Sequence, residues 1–584
     1  MAATTDVVTL ENFASKMPPW APDISSHLYA LVDMGSNGIR FSISDLSPPS
    51  SRLLKCLYRE RAAISLFDAL NKSSPNGPLT FPPEVITQVS RTLARFKSIA
   101  DEYGVPIEHI SVFATEAMRK AENAASMLGA ILAESGLGVY ILAPEVETLF
   151  GAMGARSSFT DVNGLFLDLG GGSVQITYMN SSVENYELIA AQTGKSLPFG
   201  AAKLIKVLES GEERVQATAI NDLQTGMQSA FAKLRQEFPT LDDTQRVPGS
   251  DGVDIYLCGG GFRGYGSILM HNDPIQPYPI SAVGAYTVDA ASFKQIKAMR
   301  KFNAAYDGKI FGMSNRRRAQ FPAIATVVEA LIHSVPRIRT ATFCSGGNRE
   351  GALLLKLPKT VREANPLQLL YQPNSNMTAE ILQSVASTIQ CSLPVEVQLF
   401  NVPTVFTSGL GHLFASRIWA CMGEPSDANA ASEIHHAIVR DPSAPGFTHF
   451  TRSLLGLTLC HRWGANLGPI DQQLHTNIRR LVNKANGEAV FWAEYIGAIA
   501  SLLADVCPTV PKTPNRLASS IQFKSTIVKG KKKTKVELVI SLSPIVLQTL
   551  DPQNIADTFK NVGKRQDTGK GDRKVKVIVQ NIPS

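Results

Sequence analysis

Two short stretches carry the residue types from which a phosphate site is built. In "LFLDLGGGSVQITY", residues 165–178, a hydrophobic run ends near Asp168, and Gly170, Gly171, Gly172, Ser173 and Gln175 follow. In "YALVDMGSNGIRFSI", residues 29–43, Asp33 precedes Gly35, Ser36 and Asn37. Small residues let backbone N–H groups converge on an oxyanion. An aspartate at a strand end can hold Mg²⁺ or its water. Either loop alone is equally an ordinary glycine turn, but two in one chain point to a pair of jaws around a phosphate. A carboxylate is expected at position 175, so Gln175 raises the question of whether the jaws cut or only hold. An amide oxygen accepts hydrogen bonds but brings no negative charge to a cation.

The elements that must position these loops read as alternating strands and helices. "LYALVDMG" and "FSISDL" flank a tight turn and predict a hairpin. "PPEVITQVSRTLARFKSIADEYG" has apolar residues at helical spacing and a glycine stop. "ISVFAT", "AMRKAENAASMLGAILAES" and "GVYILAP" continue as strand, helix and strand. This alternation predicts α/β architecture. The expected divisions are a polar lead-in over 1–27, a first α/β lobe over 28–180 and a second over 181–370. A mainly helical region with a small β element is expected over 371–584. The segment "YQPNSNMT", 371–378, reads as a linker, and "SIQFKSTIV", "VELVISLS" and "DRKVKVIVQNIPS" as late strands.

Composition limits the function classes. At 584 residues the chain is too long for one core. With 44% hydrophobic and 18% charged residues it reads as a folded protein rather than a disordered one. The formal net charge of +7 favours anionic ligands without establishing nucleic-acid binding. Seven scattered cysteines with no CxxC pair argue against a zinc site or disulfide framework and suit a reducing compartment. No apolar run reads as long enough to span a bilayer, and the N-terminus lacks a secretory pattern. A cytoplasmic location without membrane attachment is the expectation.

The set "VDMGSNGIRF", "FATEAMRKAEN", "LAPEVETLFGAMGA", "LDLGGGSVQITY", "LPFGAAKL" and "FCSGGNREG" resembles, in order, the exopolyphosphatase/guanosine pentaphosphate phosphatase family. The likeness covers roughly residues 28–356. Details such as "YPISAVGAYTV", "RRRAQFPAI" and "CHRWG" look more like its fungal retrograde-regulation branch. That resemblance implies two actin/Hsp70-like, ribonuclease H-like lobes closing on a phosphate ligand. It implies that Asp33, Gly35, Ser36 and Asn37 form one phosphate loop, and Asp168, Gly170, Gly171, Gly172 and Ser173 the other. Thr115, Arg119 and Arg61 fall where the family holds phosphate. Glu147 falls on its general base, and Asp33, Asp168 and position 175 on its Mg²⁺ site. The chain departs from the pattern at Leu149, where an arginine is expected, and at Gln175.

Two functions compete. One is a regulator of mitochondria-to-nucleus metabolic signalling that binds polyphosphate, a nucleotide or another phosphate-rich small molecule between its lobes and presents a surface to a signalling protein. The other is a Mg²⁺-dependent phosphohydrolase using Glu147 as base and Asp168 beside it. The branch-like details, Gln175 and Leu149 favour the first. Nucleic-acid binding rests only on the basic runs Arg316–Arg318 and 529–535, which lack interleaved aromatics. The run Arg316–Arg318 could serve a long polyanion and is equally a solvated helix start, while 529–535 could be a nuclear signal but reads better as a solvated hairpin turn. The spacing Gly259, Gly261, Gly264 is a weak dinucleotide fingerprint. Within the family resemblance, this loop and Gly346–Gly347 would border a nucleotide or the distal phosphates. His435 and His436, with Asp441 nearby, do not form a metal pair, since adjacent helical residues diverge by about 100°. A homodimer is left open.

Overall fold

A computed structural model describes residues 7–17, 20–71, 78–371, 373–374, 376–439, 444–529, 534–564 and 573–582. The chain falls into two compact units. The first comprises Met1–Asp273, Ala282–Ala364 and Ser443–Pro445; the second comprises Pro274–Ser281, Asn365–Pro442 and Gly446–Ser584.

The first unit holds two six-stranded sheets of similar topology. Strands β1 (Val7–Val8), β2 (Leu28–Gly35), β3 (Gly38–Asp45), β4 (Lys55–Ala62), β5 (Ile110–Ala114) and β6 (Val139–Leu142) run in the order β1-β6-β5-β2-β3-β4. Here β2, β3 and β4 form an antiparallel meander, while β5 and β6 join parallel to β2. Strands β7 (Asn163–Leu169), β8 (Val174–Asn180), β9 (Lys195–Leu197), β10 (Val253–Cys258), β11 (Tyr286–Asp289) and β12 (Ile338–Phe343) run in the order β11-β12-β10-β7-β8-β9. Again three antiparallel strands are continued by two parallel ones, with β11 added antiparallel. This repeated meander-plus-parallel arrangement is the actin-like α/β fold expected from the sequence. The parallel steps need crossover helices, and these cover the sheet faces.

Two boundaries differ from the sequence expectation. The division at 180 puts the glycine-triplet hairpin with the first lobe. The ladders instead put β7 beside β10 in the second sheet, because β7 is buried on both faces and needs a parallel neighbour. The lead-in also differs: Val7 and Val8 extend the first sheet by pairing with Ile141 and Leu142, and Val8 is buried.

The helices Pro144–Ser157 and Asn348–Lys356 cross at very short range. A Cβ on Gly154 would lie 2.1 Å from the Gly347 carbonyl oxygen, and one on Gly351 would lie 1.8 Å from that of Phe150. The "FGAMGA" and "SGGNREG" glycines therefore serve backbone contact. Val146, Leu149, Phe150 and Met153 of the same helix are fully buried, each worth about 1.5–3 kcal/mol of apolar transfer. This core anchors Glu147, on the same helix.

The second unit is mainly helical, with helices including Ala379–Cys391, Ser426–Val439, His449–Arg462, Pro469–Ala485 and Gly487–Val506. Its three-stranded sheet orders β13 (Ile521–Lys529), β14 (Thr534–Leu542) and β15 (Arg573–Asn581). This unit starts at Asn365 rather than 371, since Gly409 closes on Asn365 and Gly446 on Leu367. Helix Gly487–Val506 is long and apolar enough to cross a membrane, contrary to the sequence expectation, but 89% of its apolar window is buried as a core helix. The lysine run lies between paired strands β13 and β14, with 530–533 outside the described residues, as is Asp441. His435 Nε2 lies 2.8 Å from Asp471 Oδ1.

Candidate functional site

Two hairpin turns in the first unit face each other across a cleft of about 240 Å³. The first comes from β2–β3, where Gly35 pairs with Gly38 and leaves Ser36 and Asn37 at the tip. The second comes from β7–β8, where Leu169 pairs with Val174 and leaves Gly170 to Ser173 in the turn. Asn37 sits so close to Gly171 that a Cβ there would lie 2.7 Å from its amide nitrogen. The lack of a side chain at 171 permits this approach. Gly172 has the same role toward Glu116, and Gly259 (φ +80°) toward Asp168.

Asp33, Gly35, Ser36, Asn37, Arg61, Thr115, Glu147, Asp168, Gly170, Gly171, Gly172, Ser173 and Gln175 all line the cleft. Arg119 does not. It donates to the Leu142 carbonyl at 2.5 Å and to Glu147 at 2.9 Å, so its contacts orient the carboxylate from behind. Burial raises the Glu147 carboxyl to about 7, opposed by Arg119 and reinforced by the charges of Asp33 and Asp168. Asp168 is raised by burial as well, with Arg263 and Arg40 pulling it down.

The sequence reading missed much of the positive charge. Arg40, Arg263, Arg316 and Arg317 line the cleft with Arg61, giving five guanidinium groups against three carboxyl groups. Arg317 is driven down to about 10, first by burial and then by Arg263, Arg40 and Arg61. Arg61 is lowered by burial and by Arg40 and Arg316. These cations repel one another, and an anion in their midst would relieve that repulsion. Arg40 was legible from hairpin register, because it lies directly opposite Asp33. Arg263 was legible as one helical turn beyond Gly259, on the helix Gly259–His271. Arg316 and Arg317 belong to the basic run that the sequence offers for a long polyanion, and their place at the cleft depends on a helix remote in sequence from either turn.

Gly259, Gly260 and Gly261 of "CGGGFRG" line the cleft, but as the start of that helix beside Asp168, whereas Gly264 packs against the Arg317 side chain. Gly346 instead packs on the Gly154 carbonyl.

A divalent cation has partial provision. Asp33 is 5% exposed, and its Oδ1 is buried without a hydrogen-bond partner. Gln175, facing Asp168 in register, donates its amide to Ser173 Oγ at 2.9 Å and keeps Oε1 as an acceptor. Among the described residues no group of three or more His, Cys, Asp or Glu side chains converges as a metal cage. Two carboxylates and an amide suit an ion that keeps several waters, as Mg²⁺ does.

Residues 44–360 match the family model described as Ppx/GppA phosphatase family, and residues 365–582 match the RTG2 C-terminal domain. Retrograde regulation protein 2 of Saccharomyces cerevisiae is 29% identical over 502 residues, covering 83% of this chain and 82% of that protein. Exopolyphosphatase 1 of Mycobacterium tuberculosis is 28% identical over 338 residues, covering 56% of this chain and 87% of that protein. The solved Aquifex aeolicus PPX-GPPA enzyme is 19% identical with a TM-score of 0.42, covering 56% of this chain and 98% of that one. With more than half its length matched, the chain belongs to the Ppx/GppA phosphatase family.

Proposed function

We propose that this protein is a phosphate-ligand-binding regulator of retrograde, mitochondria-to-nucleus metabolic signalling, acting in the cytoplasm. The observation that carries the binding role is the cleft: two glycine turns and five guanidinium groups converge on Asp33, Glu147 and Asp168. Arginine forks suit phosphoryl oxygens, and a cluster of five suits a ligand with more than one phosphate, such as polyphosphate or a nucleoside polyphosphate. The signalling role rests on the similarity to retrograde regulation protein 2, which extends through the helical second unit. That unit would present the surface read by a signalling partner.

A second reading, slow hydrolysis of phosphoanhydride bonds, is favoured by Glu147. A carboxyl held near 7 at the cleft wall matches what a general base needs at neutral pH. Asp33 and Asp168, with Gln175 as a neutral donor, would hold Mg²⁺. Bound there, the ion would neutralise charge on the phosphoryl oxygens. The backbone N–H groups of both turns would orient the phosphate, and Glu147 would take the proton of an attacking water. Gln175 withholds the charge that a third carboxylate would give the cation.

Phosphate release from polyphosphate, guanosine tetraphosphate and ATP with Mg²⁺, measured beside Glu147→Gln, separates the readings. No release from either protein, with ligand-dependent thermal stabilisation of both, supports the regulator. Release that the substitution abolishes supports the hydrolase. Neither release nor stabilisation would remove the phosphate-cleft reading altogether.

A further inference from the structure

Arg316 belongs to the short helix Asn315–Ala319, in the half of the unit that carries the second sheet. All three acceptors of its Nη2 belong to the half that carries the first sheet. They are Asn37 Oδ1 at 2.8 Å, Ser65 Oγ at 2.8 Å and Asp68 Oδ2 at 2.7 Å. Three acceptors share the two N–H bonds of one nitrogen, while Nε and Nη1 make no hydrogen bond among the described residues. Asp68 is gripped a second time from the same side. Lys206, on helix Ala201–Leu208, places its Nζ 3.7 Å from Asp68 Oδ1 and 4.9 Å from the Phe67 ring centroid. The gripped segment is tied to the first phosphate turn, because Phe67 N and Ser65 Oγ both donate to the Ser36 carbonyl, at 3.0 and 3.3 Å.

Asp68 does not line the cleft, whereas Arg316 does. One guanidinium therefore faces two ways, toward a carboxylate outside the site and toward the space where an anion would sit. We propose that Asp68, Arg316 and Lys206 form a latch between the two halves of the first unit. Arg316 is its positioning residue, coupling closure of the two glycine turns to binding of the phosphate ligand. This rests on the phosphate reading of the cleft. With Asp68 engaged, Arg316 holds Asn37 against the second turn and offers Nη1 and Nε to the ligand. With Asp68 neutralised, no other carboxylate among the described residues pairs with Arg316, and a ligand must bear the ordering of both turns itself. A ligand that binds the closed arrangement better thereby shifts the protein toward it.

The test measures closure and binding separately. Spectroscopic labels, introduced as noncanonical residues at exposed Gln88 and Ala217 to spare the native cysteines, report the distance between the halves. Calorimetry with pyrophosphate and Mg²⁺ reports binding. Asp68→Asn is expected to lengthen or broaden the ligand-free distance and weaken pyrophosphate roughly threefold to fivefold, the scale of a pair whose side chains are 37% and 40% exposed. The charge swap Asp68→Arg with Arg316→Asp, made together with Lys206→Glu so that the cation at 68 keeps acidic partners on the second half, is expected to restore the distance but not the affinity, because an aspartate at 316 repels the anion. An unchanged distance in Asp68→Asn overturns the latch. If no variant binds pyrophosphate, the phosphate reading fails while the distance still decides the latch.

Discussion

Glu147 is poised between two roles, and its surroundings say how to tell them apart. Burial lifts its carboxyl to about 7 while Arg119 favours the ionised form. In the hydrolase reading, release should climb as pH rises through about 7, because only the carboxylate can accept a proton. Glu147→Gln should lower that release by about 10²-fold or more while leaving pyrophosphate binding within a few-fold, measured by calorimetry at the same pH. Arg119 invites a different result. Since it contacts Glu147 and the Leu142 carbonyl but not the cleft wall, Arg119→Ala should act through Glu147. The expected signature is an upward move of the pH midpoint for release, since the cation that favours the carboxylate is lost.

At the scale of elements, the glycines divide into those that face ligand and those that let helices meet. Gly154→Ala would push a Cβ to within 2.1 Å of the Gly347 carbonyl oxygen. Such overpacking against backbone should cost about 3 kcal/mol or more, read as a lowered midpoint in denaturant unfolding. Because the same helix carries Glu147, any phosphate release should fall with it.

The strand-and-helix alternation and the two turns were legible because Asp-Gly-Ser patterns and apolar periodicity are local signals. Asp33, Asp168 and the glycines landed together on the cleft for that reason. The ownership of β7 and β8 was not legible, since strand pairing is settled by which neighbour buries both faces. The run Arg316–Arg318 was legible as a basic cluster, but that Arg316 and Arg317 rather than Arg318 line the cleft depends on how a helix remote in sequence from either turn is placed. Helix Gly487–Val506 shows the opposite ambiguity: its apolar length fits a bilayer, and only its packing identifies it as core.

At the scale of the molecule, the second unit responds to acid in its own way. His461 and His475 lie with ring centroids 5.5 Å apart and planes tilted by 42°. Burial and Arg479 hold His461 down to about 4. Burial, His461 and Arg479 hold His475 down to about 3, against the pull of Glu494. Both rings stay neutral in the fold at pH values where the unfolded chain protonates them near 6.5. Stability is therefore unaffected by them above about pH 6.5 and falls as pH drops toward 4, by about 1.4 kcal/mol per histidine per pH unit. Urea unfolding of the whole protein at pH 7.5 and pH 5 should show this loss, and His475→Asn should reduce it.

The first unit makes the larger claim, that its cleft is a binding site for a multiply charged phosphate ligand. Calorimetric titration of tripolyphosphate with Mg²⁺ into the intact protein and into Arg317→Gln addresses it directly. The account predicts saturable one-to-one binding that weakens about tenfold when the Arg317 guanidinium is removed. Absence of binding, or binding that Arg317→Gln leaves untouched, would contradict it.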